Sequence, residues 1–84
     1  MKAIFAPKAW DDYLYWQEID PKAVERIDAL IKDAGRNPFS GIGKPEPLRY
    51  ALAGYLSRRI TGEHRMVYKM ESGNLLIAQL RLHY

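Results

Sequence analysis

A glycine- and proline-rich segment, residues 35–54, divides the chain into two parts of different hydrophobic periodicity. It holds four of the six glycines and three of the five prolines, a composition typical of loops. Apolar residues recur at helical spacing before it, and three strand-like runs follow it. This pattern in a chain of 84 residues predicts a single α+β domain over residues 1–84.

Two helices are predicted before this segment. Lys2 to Phe5 forms a short strand, and Pro7 then suits the first turn of a helix. At Asp20-Pro21 a second helix begins, with Asp20 as its N-cap. Gly35 is a natural stop for this helix. Its apolar stripe comprises Ala23, Ile27, Leu30, Ile31 and Ala34.

Three strands are predicted after the segment, at Tyr55–Ile60, His64–Met70 and Asn74–Tyr84. Thr61-Gly62-Glu63 and Glu71-Ser72-Gly73 separate them and are short enough to form hairpin turns, so the pairing is antiparallel. The predicted fold is therefore two N-terminal helices packed on one face of a small, mainly antiparallel sheet, in the order β-α-α-β-β-β.

Period-two alternation predicts which strand residues share a face. In the last strand one face holds Leu76, Ala78, Leu80 and Leu82, and the other holds Gln79, Arg81 and His83. Arg59 shares a face with Ser57, whereas Arg58 shares the opposite face with Leu56 and Ile60. One face of the sheet can therefore carry polar groups while the other meets the helices.

The charge of the chain is unevenly distributed. Residues 1–33 carry five Lys and Arg against seven Asp and Glu, whereas residues 34–84 carry eight against three. A basic surface for a polyanion is one interpretation, and ordinary solubilising charge is the other. The chain has no cysteine and two histidines, so we expect no metal and no disulfide. It also lacks a membrane-spanning run or a signal peptide, which predicts a cytoplasmic protein.

Glu46 is the first candidate for chemistry. It lies between Pro45 and Pro47 in a basic neighbourhood, so its carboxylate is presented on a restricted backbone. Such a group could act as a general base. The alternative is a turn carboxylate paired with Lys44 or Arg49.

Arginines on two adjacent predicted strands are the second candidates. The planar guanidinium binds phosphate in a bidentate manner, and the alternation favours Arg59 and Arg65 for this role. Arg58 is instead expected to make a structural or partner contact. The alternative is a charged sheet edge that deters aggregation.

His83-Tyr84 ends the sequence and supplies the third candidates. Histidine is well suited to acid catalysis near neutral pH, and tyrosine can stack on a base. The alternative is that both are frayed terminal residues. His64 is expected to be structural or solvent-exposed. Base, acid and fixed cations are together what cleavage of RNA at a ribose 2′-OH requires without a metal.

Five segments resemble the YoeB toxins of the RelE/ParE superfamily, and the resemblance extends nearly from end to end. They are residues 10–17, Gly43-Lys44-Pro45-Glu46-Pro47-Leu48, residues 57–61, Glu63-His64-Arg65 and His83-Tyr84. Two positions depart from the family pattern. Leu82 stands where an aromatic residue is common, and Tyr55 where a tryptophan is frequent.

The resemblance implies a toxin that needs no cofactor, cleaves messenger RNA in the ribosomal A site and is neutralised by a YefM-type antitoxin. It also implies a homodimer. By position, Glu46 would be the base, His83 the acid and Arg65 the phosphate stabiliser. The supporting contacts would be Lys44, Arg49, Arg59 and Tyr84.

Two other function classes remain open at this point. A toxin of the same fold could bind DNA gyrase and catalyse nothing, but such a toxin does not need Glu46 together with His83. The second alternative is an RNA-binding module that uses its basic and stacking residues without cutting.

Overall fold

The computed structural model describes residues 1–82. His83, the predicted acid, and Tyr84, the predicted stacking residue, lie outside the described residues. Within residues 1–82, two helices, α1 (Pro7–Ile19) and α2 (Pro21–Arg36), cover one face of a sheet. Its strands are β1 (Ala3–Phe5), β2 (Glu46–Pro47), β3 (Leu56–Arg59), β4 (Arg65–Glu71) and β5 (Asn74–Gln79). The α+β fold predicted from the sequence is confirmed.

The strand order in the sheet is β1-β5-β4-β3-β2. β1 pairs with β5 in parallel, and the other neighbours are antiparallel, as the sequence predicts for the main strands. Ser72 and Gly73 join β4 to β5 with φ angles of 53° and 78°, the left-handed geometry of a tight two-residue hairpin. A short 3-10 turn follows β2 at Tyr50–Leu52. Neither helix is long and apolar enough to cross a membrane, as judged over residues 1–82.

Both helices begin where the sequence predicts. Pro7 and Pro21 occupy first turns, and the Asp20 carboxylate accepts hydrogen bonds from the Lys22 and Ala23 amides. Gly35, however, does not end α2, which continues to Arg36. A Cβ on Gly35 would meet only the end of the exposed, flexible Met1 side chain, so packing does not require glycine at this position. The prediction of a stop at Gly35 is therefore wrong.

The core between helices and sheet shows a second difference from the sequence prediction. Leu75 and Ile77 of β5 are buried against the helices, whereas Leu76 and Ala78 lie on the other face. Tyr68 pairs with Ile77 and Val67 with Gln79, so Ala78 is an extra residue in the ladder. This β-bulge reverses the alternation and returns Leu80 to the core. The predicted single face for Leu76, Ala78, Leu80 and Leu82 is wrong because of this bulge.

The last strand is shorter than predicted, ending at Gln79. Residues 80–82 leave the ladder but stay bound to other parts of the fold. The buried Asp12 carboxylate of α1 accepts a hydrogen bond from the Leu80 amide at 3.0 Å. Trp16, one turn later in α1, donates its indole N–H to the Leu80 carbonyl at 2.8 Å. α1 therefore replaces the missing strand partner and holds the chain where β5 ends.

Candidate functional site

The sheet face that the helices leave uncovered brings three of the candidate residues together. β2 pairs with β3 so that Glu46 lies opposite Ser57, and β3 pairs with β4 so that Arg59 lies opposite Arg65. Directly opposed residues project from the same face, as do residues two apart on one strand. Glu46, Arg59 and Arg65 therefore share this surface, which we call the open face.

Arg59 and Arg65 form a direct cross-strand pair of like charge. Side chains in such a pair have their Cβ atoms about 4.5–5.5 Å apart, and like charges in this position repel. Arg59 is exposed and Arg65 half-buried. The register therefore places two cationic side chains next to each other on the open face.

Glu46 lies on the edge strand β2 and not in a turn, which was the alternative interpretation. Proline suits an edge strand because its missing N–H leaves no ladder hydrogen bond unmade, which explains how Glu46-Pro47 can pair with β3. The carboxylate is exposed, and within residues 1–82 no ion pair joins it to Lys44 or Arg49. A hollow lined by residues 46–52 opens beside it.

Lys44 and Arg49 flank β2 and are placed differently from each other. Gly43, next to Lys44, accepts a hydrogen bond from the Arg59 amide at 2.8 Å, so the backbone before Lys44 is tied to the end of β3. Lys44 is exposed and has a left-handed φ of 52°. Arg49 lies beyond the other end of β2, before the 3-10 turn. No strand pairing in the described sheet joins Arg49 to Arg59 or Arg65.

Arg58 lies on the opposite face from Arg59, as the alternation predicts, and its role is structural. It is fully buried, and its guanidinium donates five hydrogen bonds. Nε reaches the Tyr68 hydroxyl at 2.9 Å, and Nη1 reaches the Asp33 carboxylate at 2.5 Å. The other bonds reach the carbonyl groups of Asn37, Ser40 and Ile42. Arg58 thereby holds the loop that leads to Lys44 and Glu46.

The charges around Arg58 shift the pKa values of its two side-chain partners. The hydrogen bond from Arg58 lowers the pKa of Asp33 below its ordinary value, and the Ile42 amide acts in the same direction. Burial raises the pKa of Tyr68, although Arg58 opposes this effect. Asp33 is thus held as a carboxylate and Tyr68 as a neutral phenol, which are the forms that the network requires.

The chain beyond β5 approaches the start of β4. Leu82 donates its amide to His64 Nδ1 at 2.8 Å, and the Arg65 amide donates to the Leu82 carbonyl at 3.2 Å. His64 is half-buried and packs edge-on against Trp16, which confirms its structural interpretation. The candidates His83 and Tyr84 follow directly in sequence but lie outside the described residues. Their roles stay predictions.

The structure describes both positions that depart from the family pattern. Leu82 is 51% exposed, so its side chain does not depend on packing within the described residues. Tyr55 lies under Lys69, whose Nζ is 4.8 Å from the centre of the ring. An aromatic ring is therefore kept at this position on the open face, where a tryptophan could make the same cation–π contact.

Sequence reasoning missed three features of the site: the strand β2 and the anchoring roles of Asp12 and Trp16. A two-residue strand has no periodicity to detect. Asp12 did carry a signal, because it lies at helical spacing from Ala9 and Trp16 on the core side of α1. An acidic residue in an apolar stripe implies a buried partner.

Within residues 1–82 no group of three or more potential metal ligands is found.

Comparison with known proteins gives a consistent result. The family model for the YoeB-like toxin of bacterial type II toxin-antitoxin systems matches residues 5–84. Toxin YoeB of Escherichia coli K12 is 57% identical over 84 residues, which is 100% of both chains. A YoeB/ParE toxin from Agrobacterium tumefaciens is 52% identical, with full coverage of both chains and a TM-score of 0.96.

Two structures from Staphylococcus aureus are also similar, each 45% identical and covering 100% of this chain and 98% of the other. One is a heterotetrameric YoeB-YefM toxin-antitoxin complex, with a TM-score of 0.92. The other is a YoeB dimer, with a TM-score of 0.93.

Proposed function

The chain belongs to the YoeB-like toxins of bacterial type II toxin-antitoxin systems, and we propose that it is a metal-independent endoribonuclease that blocks translation. In this proposal it cleaves messenger RNA in the ribosomal A site. The observation that supports this most is the strand register that places Glu46, Arg59 and Arg65 on the open face. A carboxylate beside paired cations is the arrangement that phosphodiester cleavage by side chains needs.

Each side chain has a defined part in the proposed reaction. Glu46 removes the proton from the ribose 2′-OH, whose oxygen attacks the adjacent phosphorus. Arg65 stabilises the negative charge that develops on the phosphoryl oxygens. His83 protonates the 5′-oxygen as its bond to phosphorus breaks, which leaves a 2′,3′-cyclic phosphate and a free 5′-hydroxyl. Arg59, Lys44 and Arg49 hold neighbouring phosphates, and Tyr84 stacks on a base.

One experiment separates this function from its alternatives. The protein is first treated with excess EDTA. It is then added, with magnesium restored, to ribosomes that carry a defined message, and new RNA ends are mapped. We expect ends within the A-site codon. Binding without new ends would indicate an RNA-binding module, and inhibition of DNA gyrase with an intact message would indicate a gyrase toxin. Cleavage of a free RNA substrate that stops with EDTA and returns with one divalent ion would contradict metal independence.

Lys44→Ala should weaken RNA binding without slowing the chemical step. Its exposed charge is expected to contribute about 1 kcal/mol, or about fivefold in affinity. The slope of log K against log salt should fall by about 0.7, because one fewer phosphate is neutralised. Binding is measured with an RNA oligonucleotide that is 2′-O-methylated and cannot be cut. Lys32→Ala, an exposed lysine on α2, is the matched control. An equal effect of both changes would contradict a local phosphate contact.

The proposed partner is a YefM-type antitoxin, as in the Staphylococcus aureus complex. We propose that an acidic segment of it covers the open face and folds on binding. The toxin would form a homodimer and act in the cytoplasm.

Arginine labelling tests the position of the antitoxin. With phenylglyoxal and mass spectrometry, we expect the antitoxin to protect Arg59 at least tenfold. Arg36, which is exposed in the last turn of α2, should remain labelled and serves as the control. Protection of Arg36 with Arg59 still reactive would place the antitoxin on the helices and contradict direct occlusion of the open face.

A further inference from the structure

The backbone of Leu82 is held from both sides by the two residues that begin β4. His64 Nδ1 accepts a hydrogen bond from the Leu82 amide at 2.8 Å, and the Arg65 amide donates to the Leu82 carbonyl at 3.2 Å. Leu82 has a φ of 65°, a left-handed conformation that is strained for a residue other than glycine. Such a conformation persists when its surroundings impose it. The hydrogen bond to His64 is one such constraint.

The His64 ring is itself fixed in position. It packs edge-on against Trp16, with 4.8 Å between the ring centres, and Trp16 in turn holds the Leu80 carbonyl. Nε2 of His64 faces the Glu63 carboxylate at 3.7 Å. Because Nδ1 accepts the hydrogen bond from the Leu82 amide, the N–H of the ring lies on Nε2. The ring therefore presents its acceptor in a defined direction.

We propose that His64 is a positioning residue for RNA cleavage. Through Nδ1 it fixes the backbone of Leu82, which precedes His83, the proposed acid, in the sequence. The neighbouring Arg65, the proposed phosphate stabiliser, binds the Leu82 carbonyl through its amide. His64 touches no reacting atom. This inference rests on the proposed function, because it gives His83 a task that needs orientation.

Two substitutions of His64 distinguish the role of Nδ1 from that of Nε2. In His64→Asn the side-chain carbonyl can take the place of Nδ1, whereas in His64→Gln the polar end lies nearer the position of Nε2. We expect His64→Gln to lower the single-turnover rate of message cleavage about 10–100-fold, because a displacement of a catalytic group by about 1 Å costs this much. The toxin concentration that gives the half-maximal rate should not change. His64→Asn should stay within about threefold of the unmodified protein.

Hydrogen exchange at the Leu82 amide gives a readout independent of activity. The amide should exchange slowly in the unmodified protein and in His64→Asn, and fast in His64→Gln. Equal cleavage rates in both variants would overturn the inference. A slow rate in His64→Gln with the Leu82 amide still protected would also overturn it. If the unmodified protein left the message intact, the proposed function would fail, whereas the exchange pattern alone would decide whether His64 holds Leu82.

Discussion

Arg58→Met is expected to lower the free energy of unfolding by about 3–5 kcal/mol, whereas Arg59→Met should change it by less than about 0.5 kcal/mol. The two arginines are adjacent in β3 but face opposite sides of the sheet. Arg58 is fully buried with five hydrogen bonds, and its loss leaves the carbonyl groups of the loop at residues 37–42 without their donor. Arg59 is exposed, so its loss should affect RNA binding instead.

Urea unfolding followed by circular dichroism measures this difference. A stability loss of this size is a large part of what a domain of 84 residues possesses, so Arg58→Met should unfold partly without denaturant. Arg58→Lys is the milder variant, because it keeps the charge but not the planar fork. Similar stabilities for Arg58→Met and Arg59→Met would contradict the structural role of Arg58.

The ion pair between Arg58 and Asp33 should make the stability of the fold depend on pH. Arg58 holds the pKa of Asp33 below its ordinary value of 3.8, so the pair stabilises the folded state above that pH. The contribution is lost as the pH falls through the lowered pKa. In Arg58→Met this part of the acid destabilisation should disappear.

Elements with strong local signals were predictable from the sequence. The Asp20-Pro21 start of α2, its apolar stripe and the hairpin turn predicted at Glu71-Ser72-Gly73 depend on neighbours in the chain. The structure confirms all three, with Glu71 as the last residue of β4. The separation of Arg58 from Arg59 also followed from alternation, because β3 is regular over its four residues. Local rules were sufficient in these cases because no distant contact opposed them.

Features that depend on distant contacts were not predictable in the same way. The bulge at Ala78 arises from pairing between β4 and β5, and it reverses the faces that simple alternation assigns. β2 exists only because β3 lies beside it. The departure of residues 80–82 from the sheet depends on Asp12 and Trp16, far away in sequence. The position of Glu46 opposite Ser57 thus required the structure.

Glu46→Gln and His83→Gln should each slow single-turnover cleavage about 10²–10⁴-fold. Glutamine keeps the size and polarity of both side chains but cannot transfer the proton. Arg65→Ala should also slow the chemical step, because its charge is most effective when negative charge develops on the phosphate. The rates are measured on message bound to ribosomes, with the toxin in excess.

The controls for these variants separate chemistry from folding. Glu25→Gln, an exposed carboxylate on α2, should cleave at the unmodified rate. Glu46→Gln should unfold at the same urea concentration as the unmodified protein, because the Glu46 carboxylate is exposed. A full rate for Glu46→Gln would show that another group removes the 2′-OH proton.

The measurement that tests the acid–base mechanism most directly uses a message with a 5′-thio linkage at the cleavage site. A sulfur leaving group needs no protonation, so the substitution should restore cleavage by His83→Gln and leave Glu46→Gln slow. Rescue of Glu46→Gln instead would exchange the acid and base assignments. Rescue of neither variant would contradict His83 as the acid and leave it a positioning residue.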